Sequence, residues 1–162
     1  MRAILWMLML LASPAGAGTF PPVKVFVPKV CLACIEWAEH LRQHGFTVTL
    51  DDSQDMAQVK KRYRIGPDLE ARHTAVVDGY VIEGHVPADD IKLLLKERPK
   101  ARGLAVPGSP RGAPGLDALS GTGCETGCTM LEGDGAARIV RRELYNTLLI
   151  GQDGKTSTYA RH

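Results

Sequence analysis

The chain has 162 residues, 44% of them apolar and 23% charged, with a formal net charge of +2 and four cysteines. That length suits one domain with its own core, and the near-balanced charge argues against a nucleic-acid or acidic-membrane surface as partner. Four cysteines outside the cytosol mean disulfides, thiol chemistry or metal binding.

The first residues, Met1-Arg2, lead into an apolar run from Ala3 to Ala12 and then Ala15-Gly16-Ala17. One positive charge, a short apolar stretch and a small-x-small site predict a secretory signal peptide over residues 1–17, too short to span a bilayer. An exported protein without membrane insertion after leader removal is expected, with cleavage after Ala17.

The β-rich run Val23-Lys24-Val25-Phe26-Val27 predicts a first strand, and apolar spacing from Leu32 to His44 predicts a helix stopped at Gly45. Cys31 and Cys34 lie where that strand gives way to that helix. Unpaired amides and the positive end of the helix dipole stabilise a thiolate there, so Cys31 is the candidate nucleophile. Cys34, one turn on, is the resolving cysteine or a second metal ligand, and the pair can equally rest as an inert disulfide. A C-x-x-C in this setting reads as a thioredoxin-like motif.

A second strand is expected over Phe46–Leu50 and a second helix from Gln54 to Arg64, with Lys60, Lys61, Arg62 and Arg64 as its solvated face. Thr74–Val77 and Tyr80–Glu83 around Asp78-Gly79 form the clearest hairpin. A third helix starts at Pro87, with Ile91, Leu94 and Leu95 facing in, and stops before Pro99. The order β-α-β-α-β-β-α predicts an α/β, thioredoxin-like domain over residues 18–100.

Residues 101–143 turn rich in Gly, Pro and Ser, which predicts a long loop, functional or disordered, carrying Cys124, Cys128 and Met130. Residues 144–162, with Gly151-Gln152-Asp153-Gly154 between two β runs, close the same domain as a C-terminal hairpin.

The string His73 to Ala88, followed by Gly103-Leu104-Ala105-Val106-Pro107-Gly108 and by Asp153-Gly154-Lys155-Thr156-Ser157 with Ala160-Arg161, resembles the family known as domain of unknown function 411. That family includes the CopG-type periplasmic copper-resistance proteins. The resemblance implies a thioredoxin-like domain in the periplasm that handles copper through a sulfur-rich site on its first helix. Members typically carry C-x-C-C before a tryptophan; aligned on Trp37, this chain keeps Cys31 and Cys34 but has Ala33 between them. Arg72, Ser109 and Leu116 stand where the family has a cysteine and two methionines. Each change removes a soft ligand from a multi-copper cluster.

His73, just before the third strand, is placed to join Cys31 and Cys34 around Cu(I), or to take the Cys31 proton, or simply to bond the loop backbone. His85 reads as a cap or core residue, and His40 and His44 as solvated. Cys124 and Cys128 can staple their own loop, exchange with Cys31 and Cys34, or bring replacement sulfurs with Met130. Two functions compete. One is Cu(I) handling, with transfer to another exported carrier; the other is thiol-disulfide exchange without a stable metal. A hybrid uses the dithiol to reduce copper, and the blandest alternative is a disulfide-stapled adaptor.

Overall fold

The structure is a computed structural model that describes residues 20–116 and 143–162. Its elements are β1 (Val23–Phe26), α1 (Leu32–Gln43), β2 (Val48–Asp51), α2 (Met56–Tyr63), β3 (Thr74–Val77), β4 (Tyr80–Gly84), α3 (Ala88–Glu97), β5 (Ala101–Val106), β6 (Asn146–Gly151) and β7 (Thr156–Arg161). They build a mixed α/β domain on one seven-stranded sheet in the order β2-β1-β3-β4-β5-β6-β7. β1 runs parallel to β2 and antiparallel to β3, β3 and β4 form the Asp78-Gly79 hairpin, and β4 is parallel to β5. The terminal hairpin β6-β7 adds to β5 rather than standing apart.

Strand alternation divides the core. Val25, Ala75, Ile82 and Leu104 face α1 and α3, packing on Trp37, Leu41, Ile91 and Leu94. Val81, Ala105 and Ile150 face the other way, toward Ile65 and Leu69 after α2. α1 holds its place because Ala33, Cys34, Trp37, Ala38 and Leu41 recur as one buried stripe.

The structure departs from the sequence expectations at three places. Ala101–Val106, expected to begin a loop, forms β5 in the middle of the sheet; Gly103 and Pro107 punctuate a run too short to read as a strand. Lys60 is buried rather than solvated, because it pairs with the carboxylate of Glu83 under the sheet. His40 is half-buried, its Nε2 accepting the Ala88 N–H at 3.2 Å where α3 begins.

Candidate functional site

Cys31 is the N-cap of α1, half-buried, and Cys34 in the first turn is fully buried. The two are joined in a disulfide with Cα atoms 5.3 Å apart, and Cys31 Sγ accepts the Cys34 N–H at 3.3 Å. The amide that would stabilise a Cys31 thiolate therefore already points at that sulfur. Three aliphatic neighbours of the pair in the chain are exposed: Val30 is 93% exposed, Leu32 51% and Ile35 49%. Three exposed aliphatic side chains beside a half-buried cysteine suit contact with another molecule.

Trp37 lies one turn behind Cys34, its indole N–H donating to the Val86 carbonyl at 2.9 Å. Its ring packs on His73 at 4.4 Å between centroids, and His73 meets His85 edge to face at 4.8 Å. Both imidazoles are fully buried. His85 reaches this side of the sheet because Gly84 breaks the alternation: its φ is +73°, and a Cβ there would lie 2.3 Å from the Val106 carbonyl oxygen. Glu83 thus points to one face and His85 to the other.

Residues 107–116 close over the imidazoles. Gly108 donates its N–H to the Glu70 carbonyl at 3.2 Å, Ala113 is fully buried, and the Pro114 carbonyl accepts Nδ1–H of His85 at 2.8 Å. Gly115, at φ +81°, sits so close to α1 that a Cβ would lie 2.5 Å from Trp37 N. This strap and α1 touch backbone to backbone.

Among the described residues neither ring nitrogen of His73, nor Nε2 of His85, makes a well-formed hydrogen bond, although the Gly84 backbone lies near enough to act on the His73 ring. Leaving a buried donor or acceptor unpaired costs about 1–3 kcal/mol. Burial, followed by the neighbouring His85 and the Lys60 charge, holds the His73 pKa well below its ordinary value, with the Gly84 backbone pulling weakly the other way. Burial likewise lowers that of His85, against the pull of the Pro114 carbonyl. Burial thus favours the neutral form of both rings.

On the opposite face, Glu83 is also fully buried but fully engaged. It accepts the Ala71 N–H at 2.7 Å and the Thr74 hydroxyl at 2.6 Å, and it pairs with the Lys60 ammonium. Burial raises its pKa, with Lys60 as the main opposing pull.

Sequence reasoning placed Cys31 at the mouth of a helix and His73 against the C-x-x-C pair; in the structure Cys31 is the N-cap of α1, and the contacts of the His73 ring are with Trp37 and His85. His73 touches Trp37 and His85, and among the described residues no three His, Cys, Asp or Glu side chains are grouped to hold a metal ion. With the disulfide closed, neither Cys31 nor Cys34 offers a thiolate. Cys124, Cys128, Met130 and the leader residues 1–17 lie outside the described residues. Sequence reasoning missed the pairing of His85 with His73; Gly84 was the one available signal.

Residues 69–116, a span that holds both imidazoles and the strap, match the family model described as "Protein of unknown function, DUF411". A solved structure named copper resistance protein copG, Form 1, is 35% identical, covering 88% of this chain and 98% of its own, with a TM-score of 0.68. The chain belongs to the DUF411 family, of the CopG type. Form 2 of the same neighbour gives 34% identity, the same coverage and a TM-score of 0.69. No curated protein matches this DUF411 chain.

Proposed function

We propose that this chain is an exported copper-handling protein on a thioredoxin-like frame, in which Cys31 and Cys34, reduced to the dithiol, hold Cu(I) as cargo. The observation that carries this reading is the cysteine pair at the open end of α1, with Cys31 on the N-cap receiving an amide N–H. Reduction frees two soft donors whose ionisation the helix end favours, and soft thiolates suit Cu(I). The name shared by the two solved relatives supports copper as the ion. The order β2-β1-β3-β4, with α1 leading from β1 to its parallel neighbour, supports the thioredoxin-like frame. The composition of residues 1–17 supports export to the periplasm, and among the described residues no helix is long and apolar enough to cross a membrane.

In this reading His73 supplies a nitrogen donor, and Cys124, Cys128 and Met130 bring further sulfurs in place of those absent at Ala33, Arg72, Ser109 and Leu116. The dithiol also has redox capacity. Closing the Cys31–Cys34 bond releases two electrons, enough to convert two Cu(II) ions to Cu(I), with the thiol protons leaving to solvent.

The exposed Val30, Leu32 and Ile35 favour a second reading, a thiol-disulfide oxidoreductase that docks a partner there. Cys31 would attack the partner's disulfide and Cys34 would displace it, with Cys124 and Cys128 as a relay. Anaerobic titration of the reduced protein with Cu(I) against a competing chelator separates the two. Tight binding that disappears in Cys31→Ser/Cys34→Ser supports copper handling; absence of binding, together with a mid-range Cys31/Cys34 reduction potential, supports the second reading. Unchanged stoichiometry and affinity in Cys124→Ser/Cys128→Ser would remove the loop sulfurs from the site.

A further inference from the structure

The geometry points to a homodimer formed edge to edge, in which β7 of one copy pairs antiparallel with β7 of a second copy about a two-fold axis through Ser157. This contact is independent of the copper reading.

An open sheet has two edges, here β2 and β7. An edge strand presents a row of unpaired N–H and C=O groups that recruits another strand unless it is guarded. β2 is guarded. It is four residues long, Arg42 of α1 donates from Nη2 to the Val48 carbonyl at 3.1 Å, and Asp51 at its end is ion-paired with Lys24 at 2.9 Å. β7 is six residues long, has no proline and no charge before Arg161, and leaves Thr156, Ser157 and Thr158 exposed. Among the described residues no strand pairs with its outer side.

The hydrogen bonds of the terminal hairpin fix which groups point outward. Gly151 donates its N–H to the Lys155 carbonyl at 2.8 Å, so Lys155 is turned toward β6. N–H and C=O of one residue share a side in an antiparallel ladder, and the side alternates along the strand. Ser157, opposite Leu149, is therefore also turned inward, and the free groups belong to Thr156 and Thr158.

A two-fold contact requires a surface that complements itself. With Ser157 on the axis, Thr156 of each copy lies opposite the other copy's Thr158, and each pair exchanges both of its outward N–H and C=O groups. Facing threonines are a favourable cross-strand pair. The bulge in β7 at Tyr159 lies past this stretch and sets the residues beyond it one place off, so Arg161 falls against the second copy's Asp153-Gly154 turn. Asp153 is 60% exposed, with Lys155 at 3.8 Å beside it, and among the described residues Arg161 meets no carboxylate. The two-fold makes this charge contact twice. β1, which leads into α1, lies five positions from β7, about 24 Å across the sheet, so the dimer leaves both Cys31–Cys34 pairs open.

The experiment uses the full chain with the Cys31–Cys34 disulfide intact, carrying Cys124→Ser and Cys128→Ser so that no intermolecular disulfide imitates the contact. Sedimentation velocity from low micromolar to millimolar protein should show monomer passing to dimer and no further. Amide exchange of Thr156 and Thr158 should slow by at least about fivefold over the same range, while that of Ser157, already bonded to β6, stays constant. Thr158→Pro removes one outward N–H at a position where an edge strand tolerates proline, and should weaken the dimer by at least about tenfold. Arg161→Asp should weaken it too, and Arg161→Asp/Asp153→Arg should restore it. Monomer at every concentration, a dimer in which Thr156 and Thr158 exchange as fast as in the monomer, or a folded Thr158→Pro that dimerises like the parent would overturn the inference. The exchange pattern of the parent decides it should Thr158→Pro fail to fold.

Discussion

His73 and Thr74 are consecutive residues whose side chains enter polar clusters on opposite faces of the sheet, and the clusters answer burial in opposite ways. Beneath one face Thr74, Glu83 and Lys60 satisfy one another, with the Ala71 amide completing the carboxylate's shell. Beneath the other, His73 and His85 meet Trp37 and each other, and among the described residues three ring nitrogens make no well-formed hydrogen bond. A buried polar group kept for the fold is paired, since an unpaired one costs stability without return. The less satisfied cluster lies on the side of the sheet where α1 carries Cys34.

The contrast can be broken most forcefully at the paired cluster. Lys60→Met leaves the Glu83 carboxylate without its counter-charge, and Glu83→Leu strands the Lys60 ammonium. Either single change should cost about 3–5 kcal/mol in denaturant unfolding, whereas the double variant should recover most of that loss. A double variant no better than the singles would show that the pair is not the unit of stability.

Gly115→Ala tests the strap that covers the unpaired cluster. The new Cβ cannot fit 2.5 Å from Trp37 N at φ +81°, so the strap must lift and take Pro114 from His85. A loss of about 1–3 kcal/mol is expected, with a changed His85 15N signal. Unaltered stability and signal would mean that the strap does not hold the ring.

Acid should act through the histidines. The pKa of His40 is lowered from 6.5 to about 4, by burial first and then by the His44 charge. His73 and His85 are lowered too, chiefly by burial. A folded state that holds fewer protons than the unfolded chain is stabilised above the unfolded pKa and loses that stability as pH falls. The His40 share is therefore complete above about pH 6.5 and lost on the way down to about 4. After allowance for solvent screening it is on the order of 1 kcal/mol. His40→Gln, which can still accept the Ala88 N–H, should flatten thermal stability across that window; an unchanged slope would assign it to the buried pair alone.

The smallest effect is also the most diagnostic. His73→Leu replaces an unsatisfied ring with an apolar side chain, so its stability should lie within about 1 kcal/mol of wild type, the lost packing on Trp37 being offset by removal of buried polar atoms. A large destabilisation would make His73 a structural residue like Glu83.

Much of the frame was legible beforehand. The helical spacing from Leu32, the Asp78-Gly79 turn and the closing hairpin appear close to where pattern reasoning placed them, because each is set by residues near one another in the chain. β5 was not legible, since Ala101–Val106 is a strand only through its pairing with β4 and β6. Lys60 misled for the same reason. A basic run on a short helix looks solvated until a carboxylate from a distant strand is brought beneath it.

Residue type and local spacing by themselves determined that two cysteines would sit at the start of an amphipathic helix, since caps and helical periodicity are short-range physics. Tertiary structure alone decided that Glu83 and His85, two residues apart, would face opposite sides of the sheet, one engaged by three groups and the other held through Nδ1 alone among the described residues. That outcome follows from a positive φ at Gly84 and from a strap folded back across α1 by Gly115. Both depend on which distant backbones approach too closely to admit a Cβ, which no window of sequence records.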